Sequence, residues 1–91
     1  MDIERLHAIM HGRVQGVSMR YFVVQQARIL GIKGWVHNRM DGTVETIAEA
    51  DRFMLERFLK QLYKGSPASD VTHIDTEWEA AQGNFDNFTV R

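Results

Sequence analysis

The sequence has no cysteine in its 91 residues, a single proline and no long apolar run. Without cysteine, the chain can form no disulfide framework, no thiolate nucleophile and no zinc site that depends on sulfur. The opening segment, MDIERLHAIMHGR, has acidic residues first and no apolar stretch as long as a signal-peptide core or a membrane span. We therefore expect a protein of the cytoplasm that makes no contact with a membrane.

The composition is that of an ordinary globular protein. Hydrophobic residues make up 44% of the chain and charged residues 25%, close to the averages for soluble domains. Surface scaling for this size predicts that about 64% of the unfolded chain's surface is buried on folding, which is a thin core but a sufficient one. We expect one domain over residues 1–91.

Charge is unevenly distributed, although the net charge is only −1. Six basic and two acidic residues occur through Met40, whereas five basic and ten acidic residues follow from Asp41 onward. A basic half can contain an anion site, but chance alone can produce such an imbalance in a small chain. The low net charge and the lack of an aromatic RNA-recognition pattern argue against a nucleic-acid partner.

Hydropathy patterns in the first half predict a strand, a helix and a hairpin. Alternation over residues 6–11 predicts a strand that ends at Gly12. An apolar stripe at helical spacing, followed by Gly31, predicts a helix; its members are Met19, Phe22, Val23, Ala27 and Leu30. Alternation over residues 32–37 then leads to Asp41-Gly42, a strong hairpin signal, and residues 43–49 are predicted as the returning strand.

The second half adds a helix and two strands. Asp51 can cap a helix that ends before Gly65 and Pro67; its apolar stripe comprises Leu55, Phe58, Leu59 and Leu62. Residues 74–79 alternate as a strand with one solvated face, and a short last strand contains Phe88 and Val90. The order βαββαβ with a short extra strand predicts a ferredoxin-like α+β sandwich, a mostly antiparallel sheet with two helices on one face.

Residues 12–20, GRVQGVSMR, connect the first predicted strand to the first predicted helix. The first N–H groups of a helix have no intrahelical partner, and the helix dipole favours negative charge there. Gly16 allows a ligand to approach the backbone closely. Arg20 lies at the start of the helix, where a cation is unfavourable unless an anion is nearby. The segment can therefore bind a phosphate, although by spacing alone an ordinary βα turn with a solvated arginine is the more common structure.

Asn38 is expected at the same end of the sheet as Arg20. The helix advances about 16 Å from Arg20 to Leu30, and the next strand returns about 17 Å from Lys33 to Asn38. A neutral amide at this place can donate to a phosphate oxygen or accept from a water molecule. The alternative is that Asn38 serves only the hairpin that follows it.

Together these two segments resemble the two motifs of the acylphosphatase family. Residues 12–20 match G-x-V-Q-G-V-x-[FM]-R, and residues 34–44 match G-[FYW]-V-x-N-x-x-x-G-x-V. The resemblance spans essentially the whole chain. It implies that Arg20 binds the substrate's phosphate and that Asn38 positions the attacking water. The backbone of five loop residues would complete the phosphate cradle: Gln15, Gly16, Val17, Ser18 and Met19.

The resemblance implies hydrolysis of a small acyl phosphate to a carboxylate and inorganic phosphate, which would also bind as a competitive ligand. The leaving carboxylate needs no proton from the enzyme, because its conjugate acid has a pKa near 4. The transition state of phosphoryl transfer is loose in most analyses, so the water needs orientation more than activation. We therefore expect direct in-line attack by a monomer, with no metal, cofactor or covalent intermediate.

Other readings remain open at this point. One is a non-catalytic phosphate-binding or regulatory module, and another is a free-standing relative of the acylphosphatase-like domain of hydrogenase-maturation proteins. The four histidines match no metal-binding motif by their spacing, so we expect structural or solvated roles for them; they are His7, His11, His37 and His73. The carboxylates of Asp75, Glu77 and Glu79 are expected on a solvated strand face.

Overall fold

A computed structural model describes residues 2–91, so of the expected domain only Met1 lies outside the described residues. The elements are β1 (Glu4–Arg13), α1 (Met19–Ile29), β2 (Lys33–Asn38), β3 (Val44–Ala50), α2 (Arg52–Lys64), β4 (Asp70–Ala80) and β5 (Phe88–Val90). The strands form a five-stranded sheet in the order β4-β1-β3-β2-β5. All neighbours are antiparallel except β2 and β5, which are parallel. The predicted ferredoxin-like α+β sandwich is confirmed.

One face of the sheet packs against both helices and forms the core. Alternate residues of β1 point to this face, and register places Leu6 opposite Ala48 and Met10 opposite Val44. The helices contribute the apolar stripes predicted from their spacing, including the buried residues Val23, Ala27, Leu55, Phe58 and Leu62. We call the other side of the sheet, which no helix covers, the open face.

Helix α2 begins where the sequence predicts. The side chain of Asp51 accepts a hydrogen bond from the N–H of Met54 at 2.9 Å, which satisfies one of the donors that a helix start leaves free. The helix ends at Lys64, and Gly65 follows with a positive φ of 69°. Neither this helix nor α1 has the length and apolar composition needed to cross a membrane.

Some details differ from the sequence-based expectations. Strand β1 continues through Arg13, because an irregularity between His11 and Gly12 lets the chain keep pairing with β4. Strand β3 begins at Val44 rather than at Thr43. The N–H and hydroxyl of Thr43 donate instead to a carboxylate oxygen of Asp41, at 3.0 and 2.6 Å, and this local pairing keeps Thr43 in the turn.

Gly34 allows β2 to lie close to β3, and its N–H pairs with the segment that leads into β5. A Cβ at this position would collide with the carbonyl oxygen of Ile47 on the neighbouring strand, and φ is 145°. The N–H of Gly34 donates to the carbonyl of Asn87 at 3.0 Å, and β5 continues in parallel from Phe88. The pairing brings Val90 beside the entrance of α1, where it lines the cavity described next.

Candidate active site

A cavity of about 580 Å³ lies where the loop after β1 enters α1. It brings Arg20 and Asn38 together, although they are 18 positions apart in sequence. Within residues 2–91, Arg20 is the charged side chain of the lining, and no carboxylate accompanies it. The lining consists of Val14, Gly16, Ser18, Met19, Arg20, Tyr21, Val24, Asn38 and Val90. The cavity is therefore suited to an anion.

The start of α1 leaves its backbone donors available. Ser18 occupies the N-cap position in a left-handed conformation, with φ of 61°, and its side chain makes no capping hydrogen bond. The first turn contains no acidic residue. Gly16 also has a positive φ, 73°, a conformation that costs glycine little. The N–H groups of the first turn can therefore bind an anion, and the helix dipole adds to the attraction.

Two side chains fix the shape of this loop from outside. The amide nitrogen of Gln15 donates to the carbonyls of Arg39 and Thr43, at 2.7 and 2.9 Å. The loop is thereby tied to the hairpin that follows Asn38. The buried hydroxyl of Ser66 donates to the carbonyl of Val17 at 2.7 Å. Because C=O and the following N–H point in opposite directions across a trans peptide, the N–H of Ser18 points away from Ser66.

Most of the residues that the sequence predicts for the site line the cavity, but two of them do not. Five of them line the cavity: Gly16, Ser18, Met19, Arg20 and Asn38. Gln15 and Val17 do not line it, and the side chain of Gln15 instead supports the loop. Sequence reasoning missed the apolar wall, formed by Val14, Tyr21, Val24 and Val90. Val24 follows Arg20 by one helical turn, which was an available signal, whereas Val90 reaches the cavity only through the pairing of β5.

Asn38 is the last residue of β2 and pairs with Val44 of β3. Its amide oxygen is buried, and the described residues offer it no hydrogen-bond partner. Leaving a buried acceptor unsatisfied costs about 1–3 kcal/mol, so such a group calls for an explanation. Its position in the cavity beside Arg20 makes a bound water or substrate atom the natural partner.

The residue before Asn38 is held firmly on the open face. Nε2 of His37 lies 2.7 Å from one carboxylate oxygen of Glu45, and Nε2 of His7 lies 2.6 Å from the other. Partial burial would raise the pKa of Glu45, but the hydrogen bonds from His7 and His37 outweigh it and hold that pKa below its usual range. The carboxylate thus links β1, β3 and the end of β2.

Comparison with known proteins gives consistent results. The Acylphosphatase family model matches residues 6–90. An acylphosphatase from Pelotomaculum thermopropionicum is 40% identical over 90 residues, which cover 99% of this chain and 98% of that protein. The crystal structure of acylphosphatase from Bacillus subtilis matches with a TM-score of 0.94 and 38% identity, over 97% of this chain and 98% of that one. An acylphosphatase from Coxiella burnetii matches with a TM-score of 0.92 and 31% identity, over 99% and 94% of the two chains.

Proposed function

The chain belongs to the acylphosphatase family, and on this premise we propose which of its residues hydrolyse the carboxyl-phosphate bond. The reaction converts an acyl phosphate and water into a carboxylate and inorganic phosphate. The observation that carries the proposal is the meeting, in one cavity, of the Arg20 guanidinium, a helix start without a side-chain cap, and the buried amide oxygen of Asn38.

The phosphoryl group binds between Arg20 and the loop backbone. Among the described residues Arg20 has no ion-pair partner and no side-chain hydrogen bond, so its planar set of donors is available for two phosphate oxygens. The N–H groups of residues 15–19 face the remaining oxygens in this proposal, with Gln15 and Val17 contributing through the backbone alone. These donors stabilise the charge that the three oxygens carry in the transition state.

Asn38 orients the attacking water. Its amide oxygen accepts a hydrogen bond from the water, which places a lone pair of the water in line with the phosphorus atom. The P–O bond to the carboxylate breaks as the new P–O bond forms, and the phosphate's own oxygens take the proton of the water. The carboxylate leaves as an anion and needs no general acid, so neither a metal nor a covalent intermediate enters the scheme.

The proposal also covers the contact with the acyl group, the oligomeric state, the compartment and the class of substrate. The apolar wall formed by Val14, Tyr21, Val24 and Val90 would contact the acyl group. We expect a single domain that acts as a monomer in the cytoplasm. The net charge of −1 supports a small-molecule substrate rather than a nucleic acid.

Hydrolysis of benzoyl phosphate in the presence of EDTA tests the proposal. Arg20→Ala should lower kcat/KM by roughly 10²–10³-fold and weaken the binding of inorganic phosphate measured by calorimetry. Arg57→Ala, an exposed arginine of α2, is the matched control and should leave both quantities unchanged. Near-normal turnover by Arg20→Ala would remove this arginine from the mechanism. A wild-type protein that binds phosphate but hydrolyses nothing would be a non-catalytic phosphate-binding module.

A further inference from the structure

All four histidines have their side chains in two clusters on the sheet, each built around one carboxylate. Glu45 binds His7 and His37, as described above. Asp75 binds the other two: Nε2 of His11 lies 2.8 Å from one of its oxygens, and Nε2 of His73 lies 2.6 Å from the other. The proposed reaction uses none of these groups.

The cluster of His11, His73 and Asp75 brings three potential metal ligands together. His11 on β1 stands directly opposite His73 on β4, and the centroids of their rings are 5.3 Å apart. Asp75 follows His73 by two residues, so its side chain projects from the same face of β4. One ligand atom from each residue can be chosen so that all three lie within 4.8 Å of one another.

We propose that His11, His73 and Asp75 form a binding site for one divalent transition-metal ion, with Zn²⁺ as the reference ion. Two imidazoles and a carboxylate are donors that suit zinc, copper and nickel. Zinc binds imidazole nitrogen at about 2.0–2.1 Å and carboxylate oxygen at about 2.0–2.2 Å. Three protein ligands leave one tetrahedral position for water.

The sheet supplies most of the organisation that binding requires. Ligand atoms around a tetrahedral zinc ion lie about 3.4 Å apart at those bond lengths. The histidine nitrogens already lie 2.8 and 2.6 Å from the oxygens of Asp75, and all three ligand atoms lie within 4.8 Å of one another, so each pair needs to adjust by only about an ångström. The side chains can make this adjustment because His11 is 39% exposed, Asp75 58% and His73 61%. The strands need not move, because the register already fixes the backbone positions.

The hydrogen bonds of Asp75 agree with this role. Its two carboxylate oxygens lie 2.8 Å from Nε2 of His11 and 2.6 Å from Nε2 of His73, so the three groups already face one another. A bound cation would replace these hydrogen bonds with coordinate bonds to the same three groups. The histidines bind as neutral imidazoles, so metal binding should weaken at acidic pH.

Sequence spacing could not reveal this site. His11 and His73 are 62 positions apart, and only the antiparallel register of β1 and β4 places them opposite each other. The cluster of His7, Glu45 and His37 also joins two histidines to one carboxylate, but it spans three strands, because β3 separates β1 from β2. Its histidines are also less exposed, at 25% and 33%. It therefore serves as an internal control.

Titration of the metal-free protein with ZnCl₂ tests the inference. Calorimetry should show one Zn²⁺ per chain, and Co²⁺ should give the visible absorption of a low-coordinate complex. His73→Ala, an exposed position, should weaken Zn²⁺ binding at least about tenfold, in line with the loss of a ligand. His37→Ala should leave it unchanged, and circular dichroism should show that both variants are folded.

Two results would overturn the proposal: wild-type protein without a saturable single-site isotherm below millimolar Zn²⁺, or equal affinity in wild type and His73→Ala. Weak binding that His37→Ala abolishes would place the ion at the other cluster and would also overturn it. Hydrolysis of benzoyl phosphate in EDTA should be the same for wild type and His73→Ala. The two experiments therefore test the metal site and the proposed function independently of each other.

Discussion

Asn38 carries the amide oxygen that folding removes from water without supplying a partner among residues 2–91. Its backbone is fixed by the pairing with Val44, and the neighbouring His37 is bound to Glu45. An amide held in this way has little conformational freedom. Its position therefore suits the orientation of a water molecule, because holding a reactant in place lowers the entropic part of the activation barrier.

Asn38→Ala should separate catalysis from phosphate binding. We expect kcat for benzoyl phosphate to fall by roughly 10²-fold, because the attacking water loses the hydrogen bond that orients it. The affinity for inorganic phosphate should stay within about twofold of wild type. Steady-state kinetics and calorimetry measure the two quantities. Asn84→Ala, at an exposed loop position, should change neither. Loss of phosphate affinity in Asn38→Ala would show that this residue binds the phosphoryl group instead.

Single residues also show the limit of sequence reasoning about the site. The phosphate loop was predictable, because glycine, arginine and a helix start have recognisable local chemistry. The hydrogen bonds from Gln15 to the hairpin and from Ser66 to Val17 were not. They connect positions that are distant in sequence, and a polar residue in a loop gives no sign of the carbonyl that it will meet after folding.

At the scale of elements, helix α2 was the easiest to predict, because its cap, its apolar stripe and its stop are all local signals. One aromatic residue of this helix is nevertheless exposed. Phe53 is 63% exposed, although phenylalanine is among the residue types most often buried. It occupies the first turn, off the stripe formed by Leu55, Phe58 and Leu62. Helical phase therefore decides burial here, and residue type alone does not.

Asp51→Ala should destabilise the protein without affecting catalysis. Loss of the hydrogen bond to the N–H of Met54 should lower the free energy of unfolding by about 1 kcal/mol, as measured by urea denaturation. Asp51→Asn should retain most of the stability, because asparagine also caps helices well. Both variants should hydrolyse benzoyl phosphate at the wild-type rate, since Asp51 lies outside the cavity around Arg20. A loss of activity in the folded variants would link α2 to the site.

At the scale of the whole molecule, Glu49 connects distant parts of the chain. It is buried on β3, where Nε of Arg5 donates to its carboxylate at 2.8 Å. The N–H groups of Gln82 and Gly83 donate to the same carboxylate at 2.9 and 3.0 Å. Burial would raise the pKa of Glu49, but these donors outweigh it and hold the pKa below the usual value of 4.5. The carboxylate thus secures the loop before β5.

This lowered pKa predicts a dependence of stability on pH. Below pH 4.5 the unfolded state binds more protons at this site than the folded state does, so the free energy of unfolding must fall with falling pH. The contribution is complete above that value and is lost as the pH passes through the lower folded-state pKa. Urea denaturation of wild type between pH 7 and pH 3 should show the decline.

Glu49→Gln is the variant that isolates this contribution. It should be less stable than wild type at pH 7, by about 1–3 kcal/mol, because Arg5 and two N–H groups lose a charged acceptor. Its stability should also fall less steeply between pH 5 and pH 3. Glu56→Gln, an exposed position on α2, should follow the wild-type curve. If the free energy of unfolding fell equally steeply between pH 5 and pH 3 in Glu49→Gln and in wild type, other carboxylates would be responsible for the decline.

The long pairing of β1 with β4 has a consequence for how fast the chain reaches its native state. It joins residues 4–13 to residues 70–80, so a segment of nearly sixty residues must close before this ladder gains any stabilisation. Proteins dominated by such distant pairings reach the native state in about milliseconds to seconds, far more slowly than helical bundles. We therefore expect slow refolding after dilution from urea, with the edge of β1 exposed to other chains until β4 has paired with it.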